Sequence, residues 1–135
     1  MSQSSLEPAL LQITLKIFLC HGARLLGLRD RTGQTGDLPG GRFGAGEIYR
    51  DWRECALREV GEELGDAIAG QTQIGAEPLF YFPHFVDVSG YEALGIAYRA
   101  TLPDLAADAP PPTPVLSDEH DQYEWVALAD YAPLQ

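Results

Sequence analysis

Between Asp51 and Gly65 the chain carries its one long helical pattern, and what that helix must hold constrains everything around it. At about 100° per residue, Ala56, Leu57, Val60 and Leu64 form an apolar stripe. The Asp51 carboxylate can cap the first free amides, Glu54 three residues on completes a capping box, and Gly65 supplies a stop. Glu59, Glu62 and Glu63 cluster on a different side, which the pattern predicts to be turned away from the core. Spacings of three and four residues crowd Glu59 against the other two, at roughly 0.2–0.5 kcal/mol per like-charged pair. A solvated face tolerates such crowding, whereas a cation among the carboxylates would make use of it.

The surrounding segments read as sheet. In "LLQITLKIFLC", Leu11, Ile13, Leu15, Ile17 and Leu19 fall on one face and Gln12, Thr14 and Lys16 on the other, the alternation of a half-buried strand. His21-Gly22 makes a turn, and "RLLGLRDR" is its hairpin partner. The glycine-dense "TGQTGDLPGGRFGAGE" is expected to be loop or irregular structure. "EPLFYFPHFVDV" and "YEALGIAYRATL", joined at Ser89-Gly90, form an antiparallel pair. "PDLAADAPPPTP" is too rich in proline to be a regular element. "YEWVAL" reads as a last strand and "ADYAPLQ" as the start of about one helical turn. This order predicts an α/β fold, a mixed sheet with helix packed against it, in a single domain over residues 1–135.

Charge narrows the partners. Nine basic residues against twenty acidic ones give a formal net charge of −11. Such a chain repels nucleic-acid backbones and anionic membranes, and no basic patch offsets this. It would repel a polyphosphate as well, unless a divalent metal screened the acids. Cys20 and Cys55 have neither metal-like nor redox spacing. No run is long enough to span a bilayer, and the start "MSQSSLEPALLQ" lacks a basic leader region, so the cytoplasm is the expected location.

Taken together, "GGRFGAGE" and "REVGEELG" resemble the signature of the Nudix hydrolases: Gly, five residues, Glu, seven residues, then Arg-Glu-apolar-any-Glu-Glu-any-Gly-apolar. Gly41 and Glu47 fit the first half; Arg58, Glu59, Val60, Glu62, Glu63 and Gly65 fit the second. "DLPGG" before it and "SDEHDQYEWVAL" after it look like the usual flanks of this family, so most of the chain is covered. Two positions depart. Ten residues, Ile48 to Leu57, separate Glu47 from Arg58, which puts Arg50 where the family has its glutamate. Because the cap at Asp51 keeps its distance to Arg58, the extra residues are expected in the loop around "IYR", with the helix starting near Asp51. Asp66 stands where the signature wants an apolar residue and is expected to weaken packing at the helix end.

The resemblance implies a Nudix-type α/β/α sandwich and Mg²⁺-dependent hydrolysis of a nucleoside diphosphate linked to another moiety, with Mn²⁺ as an alternative metal. It implies metal ligation by Glu59, Glu62 and Glu63 with help from the carbonyl of Gly40 or Gly41, and an orienting bond from Arg58 to Glu59. Hard carboxylate oxygens suit a hydrated Mg²⁺, which polarises phosphoryl oxygens and acidifies a bound water. Glu119 and His120 occupy the place of a further ligand or general base, or form an ordinary polar loop; Glu47 is equally open. Arg42, Arg50 and Arg53 are candidates for substrate phosphates. Tyr81, Phe82, Phe85 and Tyr91 can stack a nucleobase or pack on the sheet. His84 reads as a strand residue, His21 as a turn residue and Cys55 as small packing. A nucleoside triphosphate or its oxidised form is the first substrate expected, a nucleotide-sugar the next. A nucleotide-binding sensor without turnover is the rival reading, and a homodimer is left open.

Overall fold

In the first strand the alternation buries one face. The protein is described here from a computed structural model covering residues 7–30, 36–84 and 90–131. Strand β1, Leu11–His21, sends Leu15, Ile17 and Leu19 fully into the core, while Leu11 at its start stays half exposed. Strand β2, Arg24–Asp30, turns back from it but pairs only at Cys20↔Leu25 and His21↔Arg24. It then runs antiparallel to β8, His120–Ala127. The long partner of β1 is β7, Glu92–Thr101, parallel to it from Leu11↔Glu92 to Cys20↔Thr101. A parallel partner requires a long crossover, so no local pattern announces it. Strands β5, Gln73–Ile74, and β6, Phe80–Pro83, both pair antiparallel with β7. The expected β6–β7 hairpin is therefore present, although Ser89 of its turn, and Phe85, lie outside the described residues.

The glycine-dense segment is not all loop. It contributes β3, Gly36–Asp37, on β2 and β4, Gly40–Arg42, antiparallel on β1. Gly40 makes the close approach feasible: its φ is +153°, and a Cβ there would collide with the carbonyl oxygen of Leu15. The result is a mixed sheet of eight strands among the described residues, with helices packed against it.

Helix α1, Trp52–Leu64, begins where its cap was expected, with the Asp51 carboxylate accepting the Arg53 N–H at 2.9 Å. The inserted residues fold into one 3₁₀ turn, Glu47–Tyr49, that ends at an extended Arg50 (φ −92°, ψ 173°), so the helix is not continuous from Glu47. Ala56, Val60 and Leu64 are buried as the stripe requires. Leu57 is not; it is 36% exposed, and Cys55 takes its place in the core. Asp66 stands just past the helix end. It opens a short second helix, α2, Asp66–Ala69, where an acid suits the free amides, and the buried Ile68 supplies the apolar contact. Helix α3, Leu128–Tyr131, follows β8. No helix among the described residues is long and apolar enough to cross a membrane.

The proline-rich connection is a strap tied at three points. Val115 N–H donates to the Leu64 carbonyl at 2.9 Å, which satisfies one of the carbonyls left free at the end of α1. The Trp125 indole donates to the Pro112 carbonyl at 3.2 Å. His21, buried rather than a simple turn residue, holds the Ala109 carbonyl through Nε2 at 2.9 Å. The strap thereby delivers Ser117 and His120 to the side of α1.

Candidate functional site

Glu59 and Glu63 do not face away from the core. Each is only 6% exposed, set at the margin of the apolar stripe and facing a cleft of about 730 Å³ between β1, β4, α1 and the start of β8. Only Glu62 points to solvent, with a 56% exposed side chain. The reason is helical geometry: positions 59 and 63, four apart, flank Val60 and Leu64, whereas position 62 lies farther round.

Arg58 organises one half of the site. Its guanidinium lies 2.7 Å from Glu47, 3.2 Å from Glu59 and 2.7 Å from Glu62. The inserted turn therefore has not removed Glu47: its carboxylate reaches Arg58 and also accepts the Gly44 N–H at 2.7 Å, the bond that does most to lower its pKa. Glu59 has the opposite fate. Burial pushes its carboxyl up to about 7; Arg58 opposes this, and Glu62, Glu63 and Glu47 add to it. Gly41 makes room for that carboxylate, since a Cβ at Gly41 would collide with it.

The other half is built on Glu63. Its Oε2 accepts from Ser117 Oγ at 3.3 Å and lies 3.2 Å from His120 Nδ1. On its far side His120 Nε2 is 3.6 Å from Asp37, whose other oxygen is 2.6 Å from Lys16 Nζ. Burial raises the Glu63 pKa, with His120 opposing. Ligand atoms of Glu63, Glu119 and His120 lie within 4.8 Å of one another, a grouping suited to a metal ion. The signature glutamates thus do not gather as one isolated trio. Glu59 and Glu62 converge on Arg58, and Glu63 joins residues brought from the strap and β8.

The remaining candidates separate clearly. Gly40, Gly41 and Arg42 line the cleft, and Arg42 has no ion pair among the described residues. Arg50 and Arg53 lie outside it, and Arg53 donates instead to the Ile74 carbonyl at 2.9 Å. His84 lines the cleft too, its pKa lowered first by burial. Thr14, Lys16, Asp37 and Ser117 were not singled out from the sequence. Thr14 and Lys16 carried a signal nonetheless, being the polar face of a strand that turns out to be covered on both sides.

A divalent cation fits these donors. Two carboxylates with hard oxygen atoms are buried with raised pKa values, so their charged forms lack sufficient local compensation. A cation would supply it.

The NUDIX domain family model matches residues 11–135. Among curated proteins, none matches the chain. The dihydroneopterin triphosphate pyrophosphohydrolase of E. coli is similar in structure, with a TM-score of 0.64 at 20% identity over 95% of this chain and 89% of that one. A C. elegans Ap4A hydrolase is similar with a TM-score of 0.62 at 22% identity, over 93% and 85% of the two chains. The NUDIX domain of Shewanella oneidensis NrtR, in complex with ADP ribose, gives 0.55 at 17% identity over 98% and 82%. With the family match spanning nearly the whole described fold and the glutamate helix in place, the chain belongs to the NUDIX family of hydrolases, pyrophosphohydrolases that act on nucleoside diphosphate-linked substrates.

Proposed function

We propose that the protein hydrolyses a phosphoanhydride bond in a small nucleotide derivative, with Mg²⁺ or Mn²⁺, in the cytoplasm. The observation that carries this reading is the pair of buried carboxylates, Glu59 and Glu63, on one wall of a cleft whose rim carries Arg42. Glu59, Glu63 and either Glu119 or His120 would hold the metal, with Gly41 leaving room beside Glu59. Held by these residues, a divalent ion would neutralise phosphate charge and make a coordinated water more acidic. Arg58 fixes Glu59 against Glu47 and Glu62 by charge-assisted bonds, so the carboxylate is oriented before substrate arrives. Arg42 binds the phosphate chain. His120 is engaged at both nitrogens, by Glu63 and Asp37. The exposed Glu119 is therefore the freer acceptor for the proton of the attacking water.

A nucleoside triphosphate or oxidised nucleotide is the first substrate to try, a nucleotide-sugar the second. The sensor reading draws on the ADP ribose complex of the Shewanella domain. In this chain it rests on the displaced Glu47 and on a general base that the sequence leaves open, and the Glu47–Arg58 bond weakens the first of these. A panel of these compounds with Mg²⁺, read by product release, tests the proposal: turnover of at least one is expected. Tight binding across the panel with no turnover would favour the sensor.

A further inference from the structure

Side chains from four separate elements line up along one side of the glutamate cleft. Lys16 on β1 is 2.6 Å from Asp37 Oδ1 on β3, and the Leu38 N–H donates to the same oxygen at 2.8 Å. With Oδ1 occupied twice, Asp37 turns its other oxygen, Oδ2, to His120 Nε2 at 3.6 Å. The opposite ring nitrogen, Nδ1, stands 3.2 Å from Glu63 Oε2 on α1. Glu63 and His120 are 6% and 9% exposed, whereas the Asp37 side chain is 37% exposed. The line therefore runs from a partly solvated ion pair to the buried side of the cleft.

The spacing at its inner end suits a shared cation. Nitrogen and oxygen ligands lie about 2.1 Å from an ion such as Zn²⁺, so two of them on one ion sit about 3.0–3.4 Å apart. Glu63 Oε2 and His120 Nδ1 fall within that span. Glu119, which is exposed, brings a carboxylate oxygen within 4.8 Å of both. A histidine that holds a metal through one nitrogen commonly donates the N–H of the other to a carboxylate, which fixes tautomer and ring plane. Asp37 stands where that partner is needed. A contact of 3.6 Å is too long for a full hydrogen bond. It acts by charge, favouring the proton on Nε2 and leaving the Nδ1 lone pair directed inward. Thr14 is an independent sign of a ligand. It is 4% exposed and lines the same cleft, and its hydroxyl has no hydrogen-bond partner among the described residues. A buried unpaired hydroxyl is unfavourable unless something arrives to pair it, as a phosphate oxygen or a metal-bound water would.

We propose that His120 is a metal ligand through Nδ1, sharing one divalent ion with Glu63, and that Asp37, anchored by Lys16, is its positioning residue. This rests on the metal-dependent hydrolase reading above and decides between the two ligands left open there. An imidazole nitrogen moves the preference of the site from Mg²⁺, which suits all-oxygen donors, toward ions such as Zn²⁺. It also leaves the exposed Glu119 free for the proton of the attacking water.

The test is calorimetric titration of the metal-free full chain with Zn²⁺ and with Mg²⁺, without nucleotide, in the wild type, His120→Gln, Asp37→Asn and Asp37→Ala. In Asp37→Asn the amide oxygen keeps Lys16 and the Leu38 N–H, so its NH₂ group faces Nε2, a donor against a donor. His120→Gln and Asp37→Asn should each weaken Zn²⁺ by about tenfold or more and Mg²⁺ by less than about threefold. Asp37→Ala should weaken Zn²⁺ less than Asp37→Asn although it removes more of the side chain, an order that a packing role would reverse. Nitrogen NMR of the ring, assigned by its loss in His120→Gln, supplies the direct signature. Zn²⁺ should shift the wild-type Nδ1 signal and leave Nε2 protonated. No Zn²⁺ binding by the wild type, an unmoved Nδ1 signal, equal losses of both ions, or the reversed order of the two Asp37 variants would overturn the assignment. None of these measurements needs turnover. Zn²⁺ held through His120 in a chain that hydrolyses no nucleotide would refute the hydrolase reading and leave the ligand assigned; turnover with an unmoved Nδ1 would do the opposite.

Discussion

Arg58 bridges three carboxylates, and Glu59 among them shows what burial does to an acid. Its pKa near 7 in the folded chain compares with an ordinary value of 4.5, so between those pH values the folded state binds more proton than the unfolded one. Stability from this group is present at low pH and is lost as pH rises toward 7. In chelator-treated protein the melting temperature should fall from pH 5 to pH 7.5, and fall less in Glu59→Gln. A wild-type protein that gains stability relative to the variant over that interval would contradict the assignment. Glu63 lends itself to a kinetic test. Glu63→Gln should stay folded and bind nucleotide within about tenfold, a shift of about 1.4 kcal/mol. Turnover should drop at least a hundredfold, roughly 2.7 kcal/mol of barrier, because metal-activated water serves mainly the transition state. Calorimetry and a product assay on one preparation separate the two quantities, and unchanged turnover would remove Glu63 from the mechanism.

Among the elements, α1 and β4 depend on each other. The helix is fixed at its start by Asp51 and its carboxylates are admitted to the cleft by the bare backbone of Gly41. Asp51→Ala should cost about 1 kcal/mol in denaturant unfolding, the usual worth of an N-cap, and leave metal affinity nearly intact. Gly41→Ala should do the reverse. Its methyl group meets the Glu59 carboxylate, which lies at the rim of the core and can only move by giving up its place in the site. Metal titration should weaken much more than unfolding does. The helix start was legible from sequence because a cap is local chemistry, whereas the strands β3 and β4 within the glycine segment form only by pairing with β2 and β1. Leu57 misled because the buried face lies farther round the helix than the stripe suggests, with Cys55, Glu59 and Glu63 buried on the side away from Leu57.

For the molecule as a whole, the large negative charge and the buried acids make one joint prediction. A divalent ion that binds only the folded state stabilises it by mass action, by about 2.7 kcal/mol at a concentration one hundred times its dissociation constant. Mg²⁺ or Mn²⁺ should therefore raise the melting temperature of the wild-type chain. The variant with Glu59, Glu62 and Glu63 all changed to Gln should show no metal-dependent rise. An equal rise in both would place the ion away from these glutamates.

The sequence by itself determined the strand with its buried face, the capped helix, and the signature glutamates with Arg58, because each rests on periodicity or on residue types at fixed spacing along one element. Tertiary structure alone decided the parallel pairing of β1 with β7, the burial of Glu59 and Glu63, and the company they keep. Ser117 and His120 reach Glu63, and Asp37 reaches the far side of His120, from segments remote in sequence, carried there by a strap tied to His21, Leu64 and Trp125 and by β3. Contacts of that kind are set by which faces the chain closes upon, and spacing along a single chain holds no record of them.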